Sequence, residues 1–321
     1  MNILIIKFGA LGDVVMSTSL IAAIQRKHPN DTIHLLTSPP FAPIFAEWSD
    51  LHVTARERRG VRNTVGTARW IRRLSCKRIY DLQGNNRSAL LCAVSGSPLR
   101  VGNHPRFPYT HHPPDRWTGQ CHIFERMLRV LEAAGVGEVE RVPALRVGDA
   151  ERETINEWLR THALARHDFV VLHATASAAR ADKIWPHFEA LGQRLGALGL
   201  CPVWVGTGRD APENQRLCAA AGGIDATDCF SIAALAALGG QARFAVTNDS
   251  GPMHVLSAAG IPVFGLFGPS DWRRNHALGQ RENVIACTEI IDQYRGLKSA
   301  DCLSRVSCEV VWERLTQAGL L

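Results

Sequence analysis

The sequence predicts an α/β protein built as two doubly wound lobes, each a parallel sheet flanked by helices. Three observations predict it. Short apolar runs, of the kind that form strands buried on both faces, alternate with longer helix-like stretches. The alternation pauses over the segment Gly135–Pro143 and then begins again. Finally, the 321-residue chain exceeds a comfortable single core, since a domain takes roughly 150 residues.

Taken in order, the first half offers strands at Ile3–Ile6, Thr32–Leu36 and Arg78–Leu82, with helices at Val14–Lys27, Val61–Ser75 and Asn86–Val94. A helix around His122–Ala134 precedes the pause, and a polar helical stretch, Asp149–Leu164, follows it. The second half offers strands at Phe169–Leu172, Val203–Val205, Phe244–Thr247 and Val263–Phe267, separated by helices at Phe188–Leu198, Glu213–Ala221 and Ile232–Leu238. A linker at Val142–Gly148 then gives a first domain of residues 1–148 and a second of 149–303. Ligands of such sheets bind beyond the carboxyl ends of the strands, so those ends are where function is sought.

Composition narrows the classes. A hydrophobic share of 46% with 21% charged residues is that of an ordinary globular protein. No apolar run approaches the ~20 residues that cross a bilayer, and the opening apolar run meets Gly9 too soon for a signal peptide. The nine cysteines have no metal-like spacing, and free thiols are expected. The net charge of +6 favours an anionic partner. From Arg56 to Arg78 there are nine Lys/Arg against Glu57, more than the whole excess. As a bare pattern that run is either a solvated helix face or an anion-binding surface; Trp70 is its lone aromatic, too little for a nucleic-acid stacking platform.

The predicted strand ends carry the chemistry. After the first strand comes Lys7-Phe8-Gly9-Ala10-Leu11-Gly12-Asp13, whose glycines permit a tight turn and whose Asp13 stands where a helix begins, as a simple N-cap or as a functional carboxylate. Its G-x-x-G spacing is neither a dinucleotide fingerprint nor a phosphate loop. The strand ending at Leu172 runs into His173-Ala174-Thr175, and then to Lys183-Ile184-Trp185-Pro186, where a lysine could meet a diphosphate or simply lie in a solvated loop. The strand ending at Thr247 runs into Asn248-Asp249-Ser250-Gly251-Pro252-Met253-His254; Pro252 suits a first helical turn that Asp249 or Ser250 would cap, with free N–H groups facing an anion. The histidines His104, His111, His112 and His122, near Arg106 and Arg116, read as a surface loop broken by prolines rather than a metal site. No G-x-S-x-G elbow supports covalent hydrolase chemistry.

In this order and spacing, Lys7-x-Gly9-x-x-Gly12-Asp13, Asp81-Leu82-Gln83-Gly84-Asn85, Lys183-x-Trp185-Pro186, Asp249 to His254 and Gly268-Pro269-Ser270 together resemble the ADP-heptose:lipopolysaccharide heptosyltransferases, glycosyltransferase family 9, over nearly the whole chain. The resemblance implies a GT-B fold of two Rossmann-like lobes with an inter-lobe cleft, the acceptor held by the first lobe and the sugar nucleotide by the second. It implies an inverting transfer of heptose from ADP-heptose to a Kdo or heptose of the lipopolysaccharide inner core, without metal or cofactor. By position, Asp13 resembles the catalytic base, in a loop bearing Gly9 and Gly12, and Lys183 and Thr175 resemble the groups at the donor phosphates. Asp249 matches the aspartate on the sugar hydroxyls, and Ser250, Gly251 and His254 its neighbours at the sugar and diphosphate. Glu213 matches a ribose-binding glutamate and Phe230 a ring against the adenine. In that frame Arg56, Arg58, Arg59 and Arg62 would contact the acceptor, and residues 304–321 would form a helix crossing back onto the first domain.

The residue types suit such chemistry. One carboxylate must take the acceptor proton while a cation stabilises the departing diphosphate, and Asp13 and Lys183 supply those roles. The implied partners are lipid A–Kdo or inner-core lipopolysaccharide and the inner face of the inner membrane, met peripherally from the cytoplasm; no nucleic acid is expected. Two rivals remain. A sugar-nucleotide epimerase of the same fold needs acid/base groups on both sides of its sugar and no basic acceptor surface. A non-catalytic binder of anionic lipid or nucleic acid has no need of Asp13, Lys183 and Asp249 together.

Overall fold

The computed structural model describes residues 1–115, 121–268, 270–290 and 302–321, which fall into two compact units, Met1–Arg146 and Val147–Leu321. The first contains β1 (Asn2–Ile6), α1 (Leu11–Lys27), β2 (Thr32–Thr37), β3 (Leu51–Ala55), α2 (Val61–Leu74), β4 (Arg78–Asp81), α3 (Asn86–Ala93), β5 (Leu99–Val101) and α4 (Ile123–Glu132). Its strands pair in parallel in the order β3-β2-β1-β4-β5. β1 is central because its side chains are apolar on both faces: Ile3, Leu4, Ile5 and Ile6 are all buried. Leu4 and Ile6 pack with Ile71 of α2 and Leu91 of α3, each such side chain contributing about 1.5–3 kcal/mol by leaving water.

The second unit contains α5 (Asp149–Thr161), β6 (Phe169–His173), α6 (Phe188–Ala197), β7 (Cys201–Gly206), α7 (Ala211–Ala221), β8 (Ile224–Thr227), α8 (Ile232–Gly239), β9 (Ala245–Asn248), α9 (Gly251–Ser257), β10 (Val263–Phe267), α10 (Trp272–Asn275), β11 (Val284–Ala286), α11 (Cys287–Ile290) and α12 (Cys308–Gln317). The sheet order is β11-β10-β9-β6-β7-β8, again parallel. Alternate residues of β6 feed opposite cores, as the two-residue period of a strand requires. Phe169 and Val171 join Leu159 of α5 and Leu238 of α8; Val170 and Leu172 join Leu195 of α6 and Leu217 of α7.

Within the second unit the closing helix joins the core: Val311 and Leu315, one turn apart on α12, pack into the cluster of Leu191 and Leu195, and Glu309 pairs with Arg194 of α6. One expectation is corrected here: among the cysteines, Cys287 and Cys302 form a disulfide rather than free thiols, and the other seven are free. The fold brings their Cα atoms to 6.1 Å across 15 residues, a spacing without a recognisable motif. No described helix is long and apolar enough to cross a membrane.

Candidate active site

Both sheets are wound the same way. In the first, the chain runs outward from β1 through β2 to β3, then returns to β4 on the other side of β1 and moves on to β5. The crevice at the point of reversal therefore opens between the carboxyl ends of β1 and β4. Ile6 pairs with Asp81 across these strands, so Lys7 and Leu82 step out of the sheet side by side. The Gln83 side chain ties the two exits together: its Oε1 accepts the N–H groups of Phe8 at 2.8 Å and Gly9 at 3.3 Å. Gly9 has φ of +150°, and a Cβ there would stand 2.7 Å from the Phe41 ring, so the turn requires glycine. Gly12 is buried in the first turn of α1.

Asp13 is not the cap of α1. Ala10 occupies the N-cap position, and Asp13 lies in the first turn with its Oδ2 3.3 Å from Lys7 Nζ. Lys7 is wholly buried and Asp13 a quarter exposed, at 0% and 26%. Burial pushes the Lys7 pKa down, and the nearby Arg126 guanidinium acts in the same direction, while Asp13 and Asp81 oppose them. Asp81 is itself buried, which raises its pKa, and accepts hydrogen bonds from Gln83 N, Gly84 N and Tyr109 Oη. Beside it lies a polar cavity of about 200 Å³ lined by Asn85, Asn103, His104, Tyr109 and Arg126. Thus His104 of the expected surface loop borders this site, whereas His122 caps α4 by accepting Phe124 N–H and Arg116 lies outside the described residues.

The basic run divides. Arg56 follows β3, two strands from β1 on the same sheet edge, with its guanidinium carbon 5.2 Å from the Trp70 ring centroid. Arg56, Arg62, Asn63 and Arg69 line an open groove of about 620 Å³. Arg58 and Arg59 stand exposed in the turn before α2.

In the second sheet the reversal falls between β6 and β9, and their carboxyl ends carry a polar network. Asn248, wholly buried at the end of β9, accepts Trp185 N–H at 3.0 Å and donates to Thr175 O at 3.2 Å. Trp185 is anchored again by its indole N–H on Val306 O. These anchors explain the Lys-x-Trp-Pro pattern, because they fix the loop two residues from Lys183. Lys183 Nζ reaches Asp249 Oδ2 at 2.5 Å, and Ser270 Oγ donates to the same oxygen at 2.5 Å. His173 links two hydroxyls, Nδ1 to Ser250 Oγ at 3.1 Å and Nε2 to Thr175 Oγ1 at 3.4 Å. Burial pushes its pKa down to about 4, against an attraction from Asp210. A neutral imidazole donates through one nitrogen and accepts through the other, so it suits two hydroxyl partners. Ser250 occupies the N-cap position of α9 without a side-chain capping bond, Pro252 lies in the first turn, and Gly251 and His254 belong to the helix.

This combination, a buried carboxylate, a lysine and hydroxyls at a helix start, can hold a polyhydroxylated anion through charge-assisted bonds. A family model for glycosyltransferase family 9 (heptosyltransferase) matches residues 67–300. The chain belongs to glycosyltransferase family 9. Lipopolysaccharide heptosyltransferase 2 of Escherichia coli (strain K12) is 23% identical over 94% of this chain and 91% of its own. The crystal structure of the family 9 glycosyltransferase from Veillonella parvula DSM 2008 matches with a TM-score of 0.83 at 22% identity, covering 98% of this chain and 96% of that one. The E. coli heptosyltransferase WaaC with ADP-2-deoxy-2-fluoro heptose matches with a TM-score of 0.71 at 19% identity, over 99% and 100% of the chains. The GT-B fold is that of these glycosyltransferases.

Within this family 9 chain, the predicted residues fall into two hydrogen-bonded groups beyond β6, β9 and β10: Thr175 and Ser250 joined through His173, with Asn248 bound to Thr175 O, and Lys183 joined to Asp249. Glu213 and Phe230 stay outside both. Glu213, in the first turn of α7, is paired with Arg216, which also binds Glu189; Phe230 packs edge-on against Trp158, 5.2 Å between centroids. Pro269 lies outside the described residues. Sequence reasoning placed Lys7, Gln83, His173, Asn248 and Ser270 inside its motifs but gave none of them a role. The usable signal was their place, since each stands at or within a few residues of a central strand's carboxyl end.

Proposed function

We propose that this family 9 enzyme is an inverting, metal-independent heptosyltransferase that moves heptose from ADP-heptose to a Kdo or heptose of the lipopolysaccharide inner core. The observation that carries the reading is the Lys183–Asp249–Ser270 cluster beyond β9: it offers a cation for a diphosphate next to a carboxylate that accepts from sugar hydroxyls. In this reading the acceptor hydroxyl oxygen bonds to the anomeric carbon while the bond from that carbon to the β-phosphate oxygen breaks. Asp13 takes the hydroxyl proton. Lys183 and the Thr175 and Ser250 hydroxyls meet the departing ADP, with Gly251 and His254 beside them. Glu213 and Phe230 would bind ribose and adenine. Arg56 and Arg62 in their groove, with Arg58 and Arg59, offer positive charge to acceptor carboxylates and phosphates. The enzyme would work in the cytoplasm, peripherally at the inner membrane.

The test is to incubate the protein with a panel of nucleotide sugars and truncated lipopolysaccharides, with and without a chelator. Expected are ADP release with ADP-heptose, a product of inverted anomeric configuration by NMR, and no loss on chelation. Transfer from another donor, or none onto any inner-core acceptor, overturns the reading.

A further inference from the structure

Lys7 leaves β1 for a position with no solvent exposure, where Asp13 Oδ2 is 3.3 Å from its Nζ. Taking an ammonium out of water costs more than burying an apolar side chain of the same length, so packing alone does not account for a lysine here. The charged groups facing it come from three elements: Asp13 on α1, Asp81 at the end of β4 and Arg126 on α4. The pair is asymmetric, since Asp13 retains contact with water. Among the described residues only one oxygen of Asp13 is engaged, and the engaged one faces Lys7. Gln83 clamps Phe8 and Gly9 immediately after Lys7, which fixes the lysine's backbone. The ammonium is thus a rigid anchor at the root of the loop that bears Asp13.

We propose that Lys7 is a positioning residue for the transfer reaction: its ammonium holds Oδ2 of Asp13 so that Oδ1 takes the acceptor proton. The proposal rests on the reading of Asp13 as the base. It also accounts for the order Lys-x-Gly-x-x-Gly-Asp, in which a glycine turn returns a first-turn carboxylate to the residue that follows the strand. The lysine touches neither substrate and acts through Asp13 alone.

The experiment is Lys7→Met in the full chain, with steady-state kinetics on ADP-heptose and a truncated lipopolysaccharide, ADP calorimetry and a thermal melt. Expected is a kcat lower by ~10-fold or more, with both KM values and the ADP Kd within about twofold of wild type, because only the orientation of the base is lost. Burial lowers the lysine's pKa from 10.5, so the wild-type kcat should also fall along an alkaline limb below that pH while ADP affinity holds. That limb should vanish in Lys7→Met. A folded variant with wild-type kcat overturns the proposal, as does a loss matched by the unfolded fraction. Should the variant not fold, a wild-type kcat that stays flat to pH 10.5 overturns it. Inactive wild-type protein would instead overturn the heptosyltransferase reading, and Lys7's role with it.

Discussion

Lys183 Nζ and Asp249 Oδ2 are 2.5 Å apart, with side chains only 14% and 6% exposed. Ser270 donates to the same oxygen, so Asp249 Oδ2 bridges a lysine and a hydroxyl. In the proposed donor site, a diphosphate would compete with Asp249 for Lys183, whereas a sugar hydroxyl would gain from Asp249 directly.

The two residues should consequently fail in different ways. Lys183→Ala should weaken both ADP and ADP-heptose by ~10-fold or more, since a hydrogen bond to a charged group contributes about 1.5–3 kcal/mol. Asp249→Asn should weaken ADP-heptose by a similar factor yet leave ADP unchanged or bound more tightly, because the lysine is released. Calorimetry with the two ligands separates these outcomes. Equal losses for both ligands in both variants would mean that the pair is only structural.

Asp13→Asn should lower turnover by ~10²-fold or more with ADP affinity retained, because an amide cannot take a proton. The structure adds a second consequence. With Asp13 neutral, the buried Lys7 ammonium loses its ion-pair partner, so the variant should also melt at a lower temperature. The loss should stay below the ~3–5 kcal/mol of a fully buried pair, since Asp13 is partly hydrated. A variant with near-wild-type turnover would leave Asp13 as no more than Lys7's counter-charge.

How much of this was legible in the sequence follows the sheet positions. The central strands β1, β6, β9 and β10 are buried on both faces and read as continuous apolar runs. The strands that sequence reading missed, β3, β5, β8 and β11, are the four edges of the two sheets. β3, β5 and β8 carry polar residues such as His52, Arg100 and Asp225, so they lack that signal, while β11 is apolar and buried but only three residues long, too short to stand out. The site divides likewise. Asp13, Lys183 and Asp249 stand out as charges beside glycine or proline at strand ends. Lys7 and His173 lie in the same motifs, but their burial was not legible, because it depends on partners distant in sequence, such as Ser250, 77 residues from His173.

The basic run offers a third prediction, sharpened by its geometry. Arg56 and Arg62 line one groove while Arg58 and Arg59 do not, so Arg56→Gln with Arg62→Gln should raise the acceptor KM several-fold, and Arg58→Gln with Arg59→Gln by less. Donor affinity should hold in both. The effect should shrink with salt, since exposed charges are screened beyond ~8 Å at physiological ionic strength. Kinetics at two salt concentrations decide it, and unchanged acceptor constants at low salt would return these arginines to a solvated face.

The last prediction concerns His173, whose ring links Thr175 and Ser250. Its pKa in the folded protein is about 4, against an ordinary 6.5. Below pH 6.5 the unfolded chain binds a proton that the folded chain refuses until about pH 4, so acidification favours unfolding across that window. The stability that neutral His173 contributes is complete above pH 6.5 and declines as the pH falls from there towards 4. At about 1.4 kcal/mol per unit, the loss between pH 7 and 5 should be on the order of 2 kcal/mol. Glutamine keeps one donor and one acceptor but does not titrate, so His173→Gln should retain the two hydroxyl contacts and lack this part of the pH dependence. Urea denaturation of both proteins at pH 7 and pH 5 provides the comparison, with the wild type expected to lose more. If the two lose stability equally, His173 does not titrate as a buried neutral bridge. Its link between the hydroxyls beyond β6 and β9 would then need another explanation.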